Sequence, residues 1–104
     1  AVLERRLPHR AAARGDLVAL QEALETGMDV GVLDGRTGFT PLHAAAAAGE
    51  VAVVDRLLRA RASPNSETSW GPFTPLHAAL MLPHRKTAAG AARAAAVVAA
   101  LLEA

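Results

Sequence analysis

The hexapeptide TPLHAA occupies residues 40–45 and returns unchanged at 74–79, 34 residues later. A chain of 104 residues has no use for two copies of a catalytic motif. A structural unit that buries its apolar face only against copies of itself does need the repetition. Running the same offset backwards pairs His43 with His9, Gly49 with Gly15, Glu50 with Asp16 and Leu58 with Leu24. The chain therefore divides into three units, about 1–30, 31–64 and 65–104, within one domain spanning 1–104. Ala1 is not an initiator methionine, so the domain is expected to be a fragment of a longer protein.

Each unit carries the punctuation of two short antiparallel helices. In the second, Thr40 is suited to cap a helix, and Pro41 sits at the first helical position, where its missing N–H is no loss. The alanine-rich run after Leu42 stops at Gly49, a residue suited to a left-handed turn. Val51, Val54, Leu57 and Leu58 then recur at helical spacing and predict a second helix with one buried stripe. Leu17, Leu20 and Leu24 predict the matching stripe of the first unit, closed by Gly27. The turn-rich connectors GMDVGVLDGRTGF and ASPNSETSWGPF join the units. Composition supports close stacking: 52% of residues are hydrophobic but only 3% aromatic, and much of the apolar content is alanine.

A period near 33 residues carrying T-P-L-H-x-A is an ankyrin signature. The second unit, GFTPLHAAAAAGEVAVVDRLLRARASPN, resembles the ankyrin repeat over nearly its whole length. The resemblance implies an all-α fold, an α-solenoid of stacked helix-turn-helix pairs with hairpin-like finger loops. Departures are local. Leu7-Pro8-His9 stands where Pro-Leu-His is usual, which makes the first unit a degenerate or capping repeat. Arg61 replaces the usual glycine after the second helix, a change costing about 1 kcal/mol in a left-handed residue and expected to distort that helix end. In the third unit LPHRKTAAGA is read as an inserted loop between the helices, carrying His84, Arg85 and Lys86.

Other functions find little support. Eleven basic and ten acidic residues leave a formal charge of +1, too even to draw in nucleic acid. The apolar run Ala94–Leu102 falls well short of the roughly 20 residues needed to cross a bilayer, so no membrane insertion is expected. The absence of cysteine excludes a disulfide framework and fits a cytoplasmic or nuclear setting. No nucleophile elbow or phosphate-binding glycine loop is present. No catalytic residue, cofactor or metal is expected. His9, His43 and His77 share one repeat position, so stacking holds them about 10 Å apart. Zinc needs its ligands within about 2.1 Å of a common point. The resemblance instead makes this histidine a hydrogen-bonding partner of the motif threonine.

The resemblance further implies non-catalytic binding of a protein or peptide through the fingers and the concave ends of the first helices. The matching positions are Arg36, Thr37, Phe39, Ala47 and Ala48 in the second unit. In the third they are Trp70, Gly71, Phe73, Met81 and Leu82. Phe39, Trp70 and Phe73 are the only aromatic residues of the chain and all lie in fingers. Aromatic residues dominate interface hot spots, although the two phenylalanines would serve equally to staple adjacent fingers. Arg5, Arg6, Arg10 and Arg14 read first as a solvated basic face and second as a site for an acidic partner. On the last helix, Val97, Val98, Leu101 and Leu102 are expected to point inward. That leaves Ala92, Ala96 and Ala99 outward, to be covered by a further repeat or another subunit. This favours an alternative role as a structural subunit or intramolecular module of a larger assembly.

Overall fold

The computed structural model describes residues 7–27, 29–35, 37–81 and 88–103. It contains six helices: α1 (Leu7–Arg14), α2 (Leu17–Glu25), α3 (Pro41–Ala48), α4 (Val51–Arg59), α5 (Pro75–Leu80) and α6 (Ala88–Glu103). They form three antiparallel pairs. α1, α3 and α5 pack side by side as an inner row, and α4 packs against α6 in the outer row. α2 and α4 are joined by Arg56, whose Nε donates to Gln21 Oε1 at 2.7 Å.

The local signals act as the residue types dictate. Thr40 is extended and its hydroxyl accepts from the His43 N–H, with Pro41 opening α3; Thr74, His77 and Pro75 repeat this at α5. Asp16 caps α2 through the Ala19 N–H. α3 ends at Gly49, whose φ of 72° lies in the left-handed region that glycine enters without a Cβ penalty. Arg61 takes the same conformation, φ 71°. The end of α4 is nevertheless undistorted, because the Arg61 N–H still reaches Leu58 O and the Ala62 N–H reaches Leu57 O, both at 3.0 Å. Strain of about 1 kcal/mol is too small to open a turn whose next residue, Ala62, is buried.

One core runs the length of the stack. Leu20, Leu42, Ala45, Ala46, Val53, Val54, Leu57, Ala79 and Val97 are fully buried. The alanines let inner helices approach closely, and the branched residues of α4 and α6 fill the space behind them. Three sequence expectations are corrected here. Leu17 is 42% exposed, because no described helix lies before α2 in the outer row to cover its start. Leu102 is 70% exposed, whereas Val97 and Leu101 are buried, Val98 is half-buried, and Ala92, Ala96 and Ala99 are exposed. The insertion is not all loop: Ala88–Ala91 are already the first turn of α6, where three alanines favour the helix despite Gly90. Residues His84, Arg85 and Lys86 lie outside the described residues, as do Arg5 and Arg6.

No β-strand is present among the described residues. The connector before α5 turns through one antiparallel bridge, Thr68 to Gly71, in which the Thr68 hydroxyl also donates to Gly71 O at 3.0 Å. Among the described residues, no helix is long and apolar enough to cross a membrane.

Candidate partner-binding face

The fingers before α3 and α5 are fastened to each other by one backbone bond and one side-chain bond. Ser69 N–H donates to Gly38 O at 3.1 Å, and the Trp70 indole N–H donates to Thr37 O at 2.9 Å. Gly38 has φ 72°, and a Cβ there would run into Ser69 Oγ and the Trp70 ring. Glycine at 38 is thus what lets the two fingers touch.

Behind the fingers lies a stack of rings. Phe39 and Phe73 are 5.9 Å apart and nearly parallel. His43 stacks on Phe39 at 5.5 Å and on Phe73 at 6.1 Å, and His77 continues the row at 5.7 Å from Phe73. Trp70 leans on Phe73 at 5.3 Å. The phenylalanines therefore do staple the fingers.

The histidines are committed to the framework. His43 Nδ1 accepts from the Thr40 N–H at 3.3 Å and lies 2.7 Å from the Thr40 hydroxyl. Its proton therefore sits on Nε2, which donates to the Phe73 carbonyl of the next finger. Burial pushes the pKa of His43 below its usual 6.5, and the bonds to the Phe73 and Ser66 carbonyls partly oppose that shift. His9 also reaches the next unit, but at Val32 O, 2.9 Å from Nε2, and not at Phe39, the counterpart of Phe73. Its buried Nδ1 has no partner among the described residues. The residue corresponding to Thr40 there is Arg6, outside those described. Among the described residues, no group of three or more His, Cys, Asp and Glu is arranged to hold a metal ion.

A pocket of about 450 Å³ opens between α1, α3 and the finger before α3. Of the residues singled out from sequence in the second unit, Thr37, Phe39, Ala47 and Ala48 all line it. Arg36 lies outside the described residues. The third-unit set does not converge there. Trp70 and Met81 are 61% and 69% exposed, Gly71 and Phe73 are half-buried, and Leu82 lies outside the described residues. Sequence reasoning did not assign His9, Arg10, Ala13, Asp34 and Ala44 to the same pocket. A signal for three of them was present: the 34-residue offset pairs Arg10 with Ala44 and Ala13 with Ala47, so facing positions of α1 and α3 share the groove. Arg10 and Arg14 are both exposed.

Taken together, the stacked helix pairs, linking fingers and cross-repeat histidine bonds define a helical solenoid. A family model described as ankyrin repeats (3 copies) matches residues 9–102. The chain belongs to the ankyrin repeat family. It is similar to the crystal structure of the human ASB11 ankyrin repeat domain, with a TM-score of 0.70 and 33% identity, over 92% of this chain and 38% of that one. It is also similar to the 2-5A-dependent ribonuclease of Mus musculus, 41% identical over 56 residues. That match covers 54% of this chain but only 8% of the ribonuclease. Ankyrin repeats are in general protein–protein interaction modules and not catalysts.

Proposed function

We propose that this chain is a non-catalytic recognition module that holds a protein or peptide on its fingers and inner helices. The observation that carries this reading is the convergence of Thr37, Phe39, Ala47 and Ala48 on one pocket, beside a finger that exposes Trp70. The surface is preformed, because the ring stack and the finger-to-finger bonds fix it before any partner arrives, which lowers the entropy cost of binding. Trp70 is the expected hot spot of the third unit, with Phe73 supporting it from behind. Affinity capture followed by mass spectrometry tests the reading. Trp70→Ala should weaken capture of a partner by about 2 kcal/mol or more while the helical signal survives. Equal capture by the wild type, by Trp70→Ala and by a pocket-filling Ala47→Phe variant would rule the face out.

A second reading, a structural module within a larger assembly, is favoured by one feature. α6 exposes Leu102 together with Ala92, Ala96 and Ala99, and Ala96 and Ala99 line a groove whose charged residues are Asp55, Arg59 and Glu103. Small residues let another helix approach closely, whether from a fourth repeat, another subunit or a different chain. The chain spans 38% of the ASB11 array it resembles, so a longer stack has a precedent in that protein. Sedimentation distinguishes the two: self-association of the 104-residue chain supports the structural module, and a stable monomer at high concentration argues against it.

A further inference from the structure

We propose that the pocket between α1 and α3 seats one large apolar side chain of a peptide, and that Arg10 at its rim selects a carboxylate flanking that side chain. The inference rests on the recognition reading above and specifies the chemistry of the partner.

Depth comes from short side chains. Ala13 on α1 and Ala44, Ala47 and Ala48 on α3 leave room that any longer residue would fill, and the opening is about 450 Å³. That is within the range of roughly 300–1,000 Å³ typical of ligand pockets, whose linings are mostly apolar. The Phe39 ring forms one wall and packs against both Phe73 and His43. An apolar side chain entering here meets a rigid wall and an alanine floor.

Charge complementarity decides what lies beside that side chain. Arg10 lines the rim, is exposed, and makes no hydrogen bond or ion pair with another described residue. Arg93 brings a second guanidinium to the far end, where its Nη2 donates to the carbonyl of Ala48 at 2.9 Å. The acidic residue of the lining, Asp34, already has an interaction of its own. A partner carboxylate next to the apolar anchor would pair with Arg10 in a partly desolvated setting, where charge-assisted bonds are strongest. A lysine in that place would face the Arg10 guanidinium instead of pairing with it.

An NMR titration of the 104-residue chain tests this with three end-blocked seven-residue peptides. Each has leucine at its centre, flanked on both sides by glutamate, by alanine or by lysine. The glutamate peptide is expected to shift the backbone amides of Ala44, Ala47 and Ala48 saturably, with a dissociation constant at least about fivefold lower than the lysine peptide. Arg10→Glu, a surface change, should reverse that order. Ala47→Phe should abolish the shifts, and loss of folding in that variant would leave Arg10→Glu as the deciding measurement. Equal affinity for all three peptides, unchanged by Arg10→Glu, would overturn the proposal. So would shifts confined to Trp70 and Met81, although the recognition reading would then stand. If no peptide binds while a captured protein still depends on Trp70, only the pocket chemistry is overturned. If capture also fails to depend on Trp70 or the pocket, the recognition reading falls with it.

Discussion

The two copies of TPLHAA are identical as text and differ as structure. In the first, His43 is fully buried and Thr40 nearly so. In the second, His77 is exposed and Thr74 is half-buried. The local geometry is the same in both: each threonine caps its helix, and each histidine Nδ1 sits against the threonine N–H and hydroxyl. What differs is the neighbour. His43 hands its Nε2 proton to the finger of the next repeat, whereas His77 Nε2 has no hydrogen-bond partner among the described residues. Six residues therefore specify a capped helix start, and stacking decides what that start is worth.

Removing the histidines gives the largest test of that contrast. His43→Ala would leave the buried Thr40 N–H and the half-buried Phe73 carbonyl with unmet hydrogen bonds and open a gap in the ring stack. It is expected to cost about 3 kcal/mol in denaturant unfolding, and His77→Ala about 1 kcal/mol. Equal losses at the two sites would mean that the cap alone carries the histidine's contribution and that the cross-repeat bond adds nothing.

The capping threonines come next. Thr40→Ala should destabilise by about 1.5 kcal/mol and Thr74→Ala by about 1 kcal/mol, within the usual span for lost caps. The inequality follows from burial, since water reaches the freed N–H groups of α5 more readily. If Thr74→Ala proved the costlier change, burial would not be what sets the worth of the cap.

A smaller effect separates the two helix ends that turn through the left-handed region. Gly49→Ala should cost about 1 kcal/mol, and Arg61→Gly should gain somewhat less, because glycine's greater freedom in the unfolded chain offsets part of the relief. Thermal melts of both variants check this. A loss of stability in Arg61→Gly would mean that the arginine side chain contributes more than its backbone strain removes.

Much of this was legible in the sequence because the relevant physics is short-ranged. Thr40, Pro41 and Gly49 mark α3 by chemistry confined to one turn at each end, and the 34-residue offset put Phe39 over Phe73. What the offset could not convey is what lies beyond the outermost pairs. Leu58 is half-buried because α6 lies beside it, while Leu102, its counterpart on α6, has no described helix beyond it and stays exposed. Leu102 also sits one residue past Leu101, about 100° further round the helix, so one of the pair faces the core and the other does not. The pocket was only half legible for a related reason. Ala47 and Ala48 could be picked from their repeat position. The contribution of Arg10 and Ala13 depends on how closely α1 approaches α3, a distance set by packing along the whole inner row.

The smallest expected effect is a pH dependence that belongs to His43. Burial holds its pKa below 6.5 in the folded chain, while the bonds to the Phe73 and Ser66 carbonyls work against that shift. Between the lowered folded value and 6.5 the unfolded chain therefore binds a proton that the folded chain refuses. Stability rises with pH wherever the unfolded state holds more protons. The contribution of His43 is thus complete above about pH 6.5 and is lost as pH falls through the folded-state value. Protonation would place a hydrogen on Nδ1, where the Thr40 N–H already points, so the charged ring has to surrender that bond. Unfolding free energies measured from pH 7.5 down to 5.0 should decline in the wild type and decline less in His43→Gln. Every other titratable group is common to the two proteins, so the difference between their slopes belongs to His43. An unchanged slope in His43→Gln would assign the pH dependence to other groups and remove His43 as the titrating link between the second and third repeats.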